Sequence, residues 1–338
     1  MTDLNYLFQA TTHTPSATFI IAEIGINHEG SAECCADMIK AFAKAGADAV
    51  KLQTVDADRS YAPNTKSYEL FSLASLSAAE TANMFKLARQ CGIEPLTTSG
   101  DLHTLEWVDK LNPIAHKISS GLLSCLPIVE ATCKLKKPVL MSTGMSDSVT
   151  IEQAVAIAKE QACPVAILQC TSEYPCPPDK INLAAIKALE NKFNIPVGFS
   201  DHSLGIDMSF LSVAAGARLV EKHVSFDKKR PSFDHSISVE ADEFAEMVKK
   251  IRLAETALGS QLKTIDQKTR SQLQKFQRSL AAATDLEAGH VLSIDDLLFM
   301  RFTNQHTAVP AFETNTVIGK KVTRSVKKKQ PLNWQDIK

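Results

Sequence analysis

Short, nearly continuous apolar runs alternate with amphipathic stretches over residues 1–260. Eight runs read as strands: 19–26, 47–54, 94–99, 116–119, 138–143, 165–171, 196–200 and 218–224. Runs with no polar alternation mark parallel strands covered on both faces. Between them apolar positions recur at helical spacing, as in 34–45, where Met38, Ile39, Phe42 and Ala45 share a face. Ser77 with Glu80, and Thr150 with Gln153, have the spacing of capping boxes, which satisfy the free amides of a first helical turn. Gly46, Gly92 and Gly216 stand where helices should stop. Eight β/α alternations predict an α/β chain with a (β/α)8 barrel over 1–260. An open doubly wound sheet is the rival, but it usually carries a Gly-rich phosphate turn after its first strand, and none follows 19–26.

The pattern changes after Gly259. Residues 261–278 are polar and rich in Lys and Gln, and read as a helical linker. Residues 279–338 show short apolar runs at 279–284, 297–301 and 319–322 between turn residues, which predicts a small β-rich domain.

Composition narrows the function classes. The 338 residues carry 37 basic and 38 acidic side chains, so the basic surplus of a nucleic-acid binder is missing. The cluster Lys320, Lys321, Arg324, Lys327, Lys328 and Lys329 reads as a solvated face. No apolar run approaches the roughly 18 residues of a membrane span, and the N-terminal residues lack the basic-then-apolar pattern of a secretory signal. Eight cysteines without zinc spacing fit reduced thiols in a cytoplasmic protein.

Barrel chemistry sits at the C-terminal ends of the strands. Those ends carry Glu23; Lys51 and Gln53; Thr98; Lys117, Ser119 and Ser120; Ser142 and Thr143; Thr171, Ser172 and Tyr174; Ser200, Asp201 and His202; and His223. Two lysines within a ring of hydroxyls suit a compact phosphate or carboxylate. Structural salt bridges and a Schiff-base lysine are the other readings of Lys51 and Lys117. His202 and His223 end neighbouring strands and can converge on one divalent ion, or simply pack. Asp201 can complete that site or cap the following helix.

Seven strings go further: Ala22-Glu-Ile-Gly-Ile-Asn-His-Glu-Gly30, Lys51-Leu-Gln-Thr54, Lys117-Ile-Ser-Ser-Gly121, Leu140-Met-Ser-Thr-Gly-Met145, Gln169-Cys-Thr-Ser-Glu-Tyr-Pro175, Phe199-Ser-Asp-His-Ser203 and Glu221-Lys-His223. In this order and spacing they resemble the sialic acid synthase family, the phosphoenolpyruvate-dependent nonulosonic acid synthases, whose C-terminal antifreeze-like (SAF) domain matches 279–338. The resemblance implies that Lys51, Thr98, Lys117, Ser120, Ser142, Ser172 and Ser200 hold phosphoenolpyruvate. It implies a divalent metal, commonly manganese with magnesium or cobalt as alternatives, on His202 and His223, with Glu23 positioning water or carbonyl beside it. Gln53, Tyr174 and Asp234 would face an acceptor sugar, and Arg301 would reach it from the partner of a domain-swapped homodimer.

The chain departs from that family at three places. Leu122 stands where an acidic residue is usual, Thr98-Ser99-Gly100 replaces Thr-Pro, and Phe302-Thr-Asn-Gln-His306 replaces a Pro-Gly-x-Gly loop. The resemblance therefore implies condensation of phosphoenolpyruvate with an open-chain N-acyl-hexosamine, N-acetylmannosamine or a 2,4-diacetamido-trideoxyhexose, with Leu122 leaning toward a deoxygenated sugar. A different phosphoenolpyruvate–aldose condensing barrel and a catalytically silent sugar or anion binder are the alternatives.

Overall fold

The computed structural model describes residues 4–8, 17–259, 262–302 and 307–338. The chain divides into two compact units, 1–260 and 261–338.

The first unit is a closed barrel of parallel strands in sequential order: β1 (Phe19–Gly25), β2 (Ala49–Thr54), β3 (Glu94–Ser99), β4 (His116–Ile118), β5 (Val139–Ser142), β6 (Val165–Cys170), β7 (Val197–Asp201) and β8 (Leu219–His223), with β8 pairing back onto β1. All eight apolar runs form strands, trimmed or extended by a residue or two at their ends. They are apolar throughout because both faces are covered. Outside β1, β2 and β8 lie Met38, Ile39, Phe42, Phe85, Phe244 and Met247 of the surrounding helices, with Phe42 edge-on to Phe244 at 5.5 Å. Val129, Val155, Ile186 and Phe193 cover β5 to β7 in the same way.

Side chains two apart on a strand share a face, so the interior is built in layers. Ile21, Ala49, Leu96, Ala115, Leu140, Leu168 and Leu219 form an apolar floor, on which Leu4 and Leu7 of a short 3-10 turn pack. One layer up, two residues along each of those strands, stand Glu23, Lys51, Thr98, Lys117, Ser142, Cys170 and Glu221, all buried. A dry floor below a charged layer is the arrangement that positions the site.

Gly46, Gly92 and Gly216 adopt φ of +98°, +81° and +107° directly after helices, where a Cβ would be strained. The Ser77–Glu80 capping box forms. The one expected at Thr150 does not: the helix Ser148–Glu160 begins earlier, and Asp147 accepts from the Thr150 amide at 2.9 Å. A carboxylate beside a helix start accepts the amide better than a hydroxyl, so Asp147 takes the cap and Thr150 becomes part of the first turn.

In the second unit the stretch expected as linker contains the helix Gln267–Phe276, and the β-rich part follows. β9 (Ser279–Ala282) pairs antiparallel with β10 (Leu297–Met300) over a core that includes Leu280, Leu286, Leu292, Val309, Val326 and Leu332. The expected strand at 319–322 is reduced to isolated bridges at Lys321 and Val322. The basic cluster is exposed, with Lys327 paired to Asp285 and Arg324 to Asp336. All eight cysteines are free thiols, and no described helix is long and apolar enough to cross a membrane.

Candidate active site

The mouth of the barrel holds a cavity of ≈ 390 Å³. Fourteen of the candidate residues line it: Glu23, Lys51, Gln53, Thr98, Lys117, Ser119, Ser120, Ser142, Ser172, Tyr174, Ser200, His202, His223 and Asp234. Arg301 does not belong to this group. It is exposed in the second unit, its guanidinium 5.8 Å from the Phe276 ring centroid. Of the Phe302–His306 departure, residues 303–306 lie outside the described residues.

Strand register assembles the floor of the cavity. Glu23 pairs across with Lys51 on one side and His223 on the other, and Thr98 with Gln53 and Lys117. Glu23 lies 3.3 Å from Lys51 Nζ and accepts from Gln53 Nε2 at 2.8 Å. Lys117 Nζ donates to Ser142 Oγ at 2.7 Å. Sequence reasoning assigned no role to Glu221, yet it is the hub. Its Oε1 sits 3.2 Å from Lys51, 3.6 Å from Lys117 and accepts from Ser200 Oγ at 3.0 Å. The available signal was spacing: Glu221 is two residues before His223, hence on the same inward face.

Burial and mutual charge tune these groups. Burial, reinforced by Glu221, pushes the Glu23 carboxyl up to about 7 against the pull of Lys51. Burial brings Lys117 down to about 8, although Glu221 opposes it. Burial also weakens Lys51's ammonium, but Glu221 and Glu23 together outweigh that and raise it above its ordinary value. Glu221 is buried too, yet Lys117 and Lys51 hold its carboxyl below the usual range. The floor is therefore two lysines facing one firm carboxylate and a second that is readily protonated.

Hydroxyls ring the lysines. Thr98 Oγ1 and Ser172 Oγ are buried with no protein hydrogen-bond partner, and they line the cavity. An unpaired buried hydroxyl costs about 1–3 kcal/mol, which a ligand oxygen would recover. Gly144 lets this rim close. A Cβ there would stand 2.5 Å from Ser172 Oγ, 2.9 Å from Cys170 Sγ and 3.0 Å from Ser120 Oγ. Its amide donates to Ser120 Oγ at 3.0 Å.

The imidazoles stand above. His202 Nδ1 is 2.9 Å from the Thr171 carbonyl, which makes it the donor, so in the neutral ring Nε2 carries the lone pair. Tyr174 stacks on this ring at 4.1 Å, and the His223 ring is 5.5 Å away. His223 Nδ1 is buried without a hydrogen bond, 3.6 Å from Asp234 Oδ2. Burial, with His202 and Lys51 adding to it, pushes His223 well below its ordinary value, so it is neutral. Two imidazoles with carboxylates nearby are a donor set that fits a first-row divalent ion. No group of three or more His, Cys, Asp or Glu that could hold a metal is present among the described residues. Such an ion would keep open positions for water or substrate.

Asp201 faces the other way. It accepts from the Ser203 amide at 2.8 Å and from the Ser203 and Ser209 hydroxyls, and pairs with the fully buried Lys222 at 3.2 Å. Lys222 also donates to the Ser203 carbonyl. Both neighbours of His202 and the neighbour of His223 are thus tied in one knot behind the sheet. Asp234 is held by its amide, which donates to Asn27 Oδ1 at 3.0 Å.

The NeuB family pattern matches residues 38–263, and the SAF domain pattern matches 277–338. The chain belongs to the NeuB family. Among relatives of this NeuB-family chain, the N,N'-diacetyllegionaminic acid synthase of Legionella pneumophila is 32% identical over 338 residues, covering 94% of each chain. The pseudaminic acid synthase of Campylobacter jejuni is 34% identical over 335 residues, covering 93% of this chain and 95% of its own. The crystal structure of the N-acetylneuraminic acid synthetase from Leptospira borgpetersenii superposes with a TM-score of 0.74 at 30% identity, covering 77% of this chain and 91% of its own.

Proposed function

We propose that this NeuB-family barrel condenses phosphoenolpyruvate with an open-chain N-acyl-hexosamine, releasing phosphate and a nine-carbon 2-keto acid. The observation that carries the reading is the layer of Lys51 and Lys117 ringed by Thr98, Ser120, Ser142, Ser172 and Ser200, directly below the imidazoles of His202 and His223. The relatives named as legionaminic and pseudaminic acid synthases, and the solved N-acetylneuraminic acid synthetase, support it.

The lysines take the phosphate and carboxylate of phosphoenolpyruvate as point charges, and the unpaired hydroxyls of Thr98 and Ser172 complete their shells. The raised Glu23 favours this. In its protonated form it leaves two ammonium groups facing the single charge of Glu221, a net positive floor for an anion. A divalent metal, manganese in this proposal, would be held by His202 and His223 and would supply a Lewis acid for the acceptor aldehyde. Carbon 3 of phosphoenolpyruvate forms the new bond to the aldehyde carbon, whose oxygen becomes a hydroxyl. Water adds to carbon 2, placed by the Glu23 carboxyl. The bond from carbon 2 to the phosphate oxygen then breaks, phosphate leaves with that oxygen, and the remaining hydroxyl collapses to the ketone. Gln53, Tyr174 and Asp234 border the acceptor. In the cytoplasmic, domain-swapped homodimer we propose, Arg301 of one protomer serves the barrel of its partner.

Inorganic phosphate release from phosphoenolpyruvate, measured with manganese over a panel of N-acetylmannosamine and diacetamido-trideoxyhexoses, tests this. Release with one sugar, lost on chelation and in His223→Ala, is expected. His202→Ala should cost at least about 10²–10³ in rate, as for removal of a preorganised group that stabilises developing charge. Folded protein that releases no phosphate with any sugar of the panel would refute the reading.

A further inference from the structure

The connection after β2 carries a hydroxyl that no protein group satisfies. Ser60 ends the short helix Ala57–Ser60 and lines the cavity, and its Oγ is buried without a hydrogen-bond partner. The usual local partner of a helical serine is the carbonyl four residues back. Here that carbonyl, of Asp56, already accepts the amides of Arg59 and Ser60 at 3.2 and 3.0 Å.

The neighbours of Ser60 hold it in place. Tyr61 stacks on Phe71 at 5.3 Å with planes 25° apart, and both belong with Val55 to a small apolar cluster. Ser75 Oγ donates to the Val55 carbonyl at 2.8 Å, and the Gly100 amide to the Thr54 carbonyl at 3.1 Å. Gly100, part of the Thr98-Ser99-Gly100 departure, makes the room. A Cβ there would stand 2.8 Å from Ser60 Oγ and 2.9 Å from Val55 Cγ1. Thr98 and Gly100, two residues apart, both line the cavity, so Ser60 stands beside the step above the lysine layer. The strands close in sequential order, which sets β3 across the barrel from β7. Ser60, against the end of β3, therefore lies across the mouth from His202, which follows β7.

We infer that Ser60 is a specificity-determining residue whose hydroxyl donates a hydrogen bond to an oxygen of the acceptor remote from the aldehyde. This rests on the condensation reading above. With the aldehyde beside the imidazoles and phosphoenolpyruvate on the lysines, the far end of the acceptor crosses the mouth toward Ser60. The Val55 side chain beside the hydroxyl offers it no hydrogen bond, so an acceptor lacking that oxygen leaves the serine unpaired. A site discriminates most strongly through the groups that a wrong ligand leaves unpaired.

The experiment is Ser60→Ala in the full chain, with phosphate release, calorimetric binding and urea unfolding as readouts. The ligand is whichever of N-acetylmannosamine and the diacetamido-trideoxyhexoses binds best, together with analogues of it that each lack one oxygen. An acceptor Kd and KM raised about 2-fold to 10-fold are expected, the size of one neutral hydrogen bond, with the affinity for phosphoenolpyruvate unchanged. One analogue should bind the variant and the wild type alike, which names the oxygen. The urea midpoint without ligand should not fall, because the hydroxyl makes no bond in the free protein and alanine suits a helix. Unchanged acceptor affinity in the variant, or a loss equal for every analogue, would overturn the inference. So would a loss that comes with a lowered urea midpoint, the mark of a structural hydroxyl, or a folded wild-type chain that binds none of the sugars. If the sugars bind and no phosphate is released, the condensation reading fails separately, and the binding comparison still decides this one.

Discussion

Glu221→Gln tests the charged layer most directly. The substitution keeps size and removes the charge that faces Lys51 at 3.2 Å and Lys117 at 3.6 Å. Removing one partner of a buried ion pair typically costs about 3–5 kcal/mol, because the other charge is left uncompensated. Two features of this site place the expected loss at the low end, about 3 kcal/mol. Lys51 keeps Glu23 at 3.3 Å. Lys117, already brought down to about 8, can escape by losing its proton, which at pH 7 costs only about 1.4 kcal/mol. That escape gives the effect a pH signature. A lysine lowered in the folded state binds fewer protons there than in the unfolded chain, so stability rises with pH from its folded value up to the ordinary lysine range. In the variant this rise starts at a lower pH, so the deficit should be larger at pH 6 than at pH 8. Urea unfolding across that range is the assay. Trp107 reports on the barrel alone once Trp334 of the second unit is replaced by Phe. Inorganic phosphate should stabilise the variant more than the wild type, since an anion restores the missing charge. A variant within about 0.5 kcal/mol of wild type, the range of ordinary surface changes, or a deficit independent of pH, would show that Glu221 is not the counter-charge of the lysines.

Three further outcomes follow from the geometry. Lys222→Met strands Asp201 in the interior and should cost about 3–5 kcal/mol in urea unfolding; a loss below about 1 kcal/mol would mean that the knot behind His202 is not held by this pair. Gly144→Ala drives a Cβ to 2.5 Å from Ser172 Oγ and should destabilise by about 1–3 kcal/mol while weakening phosphoenolpyruvate binding; unchanged binding by calorimetry would remove that rim from the anion site. Asp336 is held below the usual carboxylate range first by its Arg324 hydrogen bond, despite some burial, so its stabilisation is present above the ordinary carboxylate range and lost as pH falls through its lowered value. Asp336→Asn should flatten that acid dependence of the second unit, followed by Trp334 fluorescence, and an unchanged acid midpoint would contradict it.

The eight strands could be read from the chain because burial on both faces leaves an uninterrupted apolar run, a signal carried entirely by neighbours in sequence. Helix stops at Gly46, Gly92 and Gly216 were equally local, since they follow from what φ a residue tolerates. The candidate site residues came from strand ends and from the resemblance, and most of them gather in one cavity, with Arg301, Asp201, Thr143 and Thr171 outside it. Glu221 was passed over because a carboxylate on a strand has no meaning until the lysines of β2 and β4 are brought round to it, which only closing the ring does. Asp201 was read as a possible part of the site, and strand alternation turns it away to Lys222. Thr150 had the right spacing for a cap, but the position of Asp147 at the true start of the helix decided the matter. The chain's local patterns determined which segments are strands and which polar residues end them. Which charges neutralise one another was decided by the tertiary structure, because that depends on distances between segments that share no sequence neighbourhood.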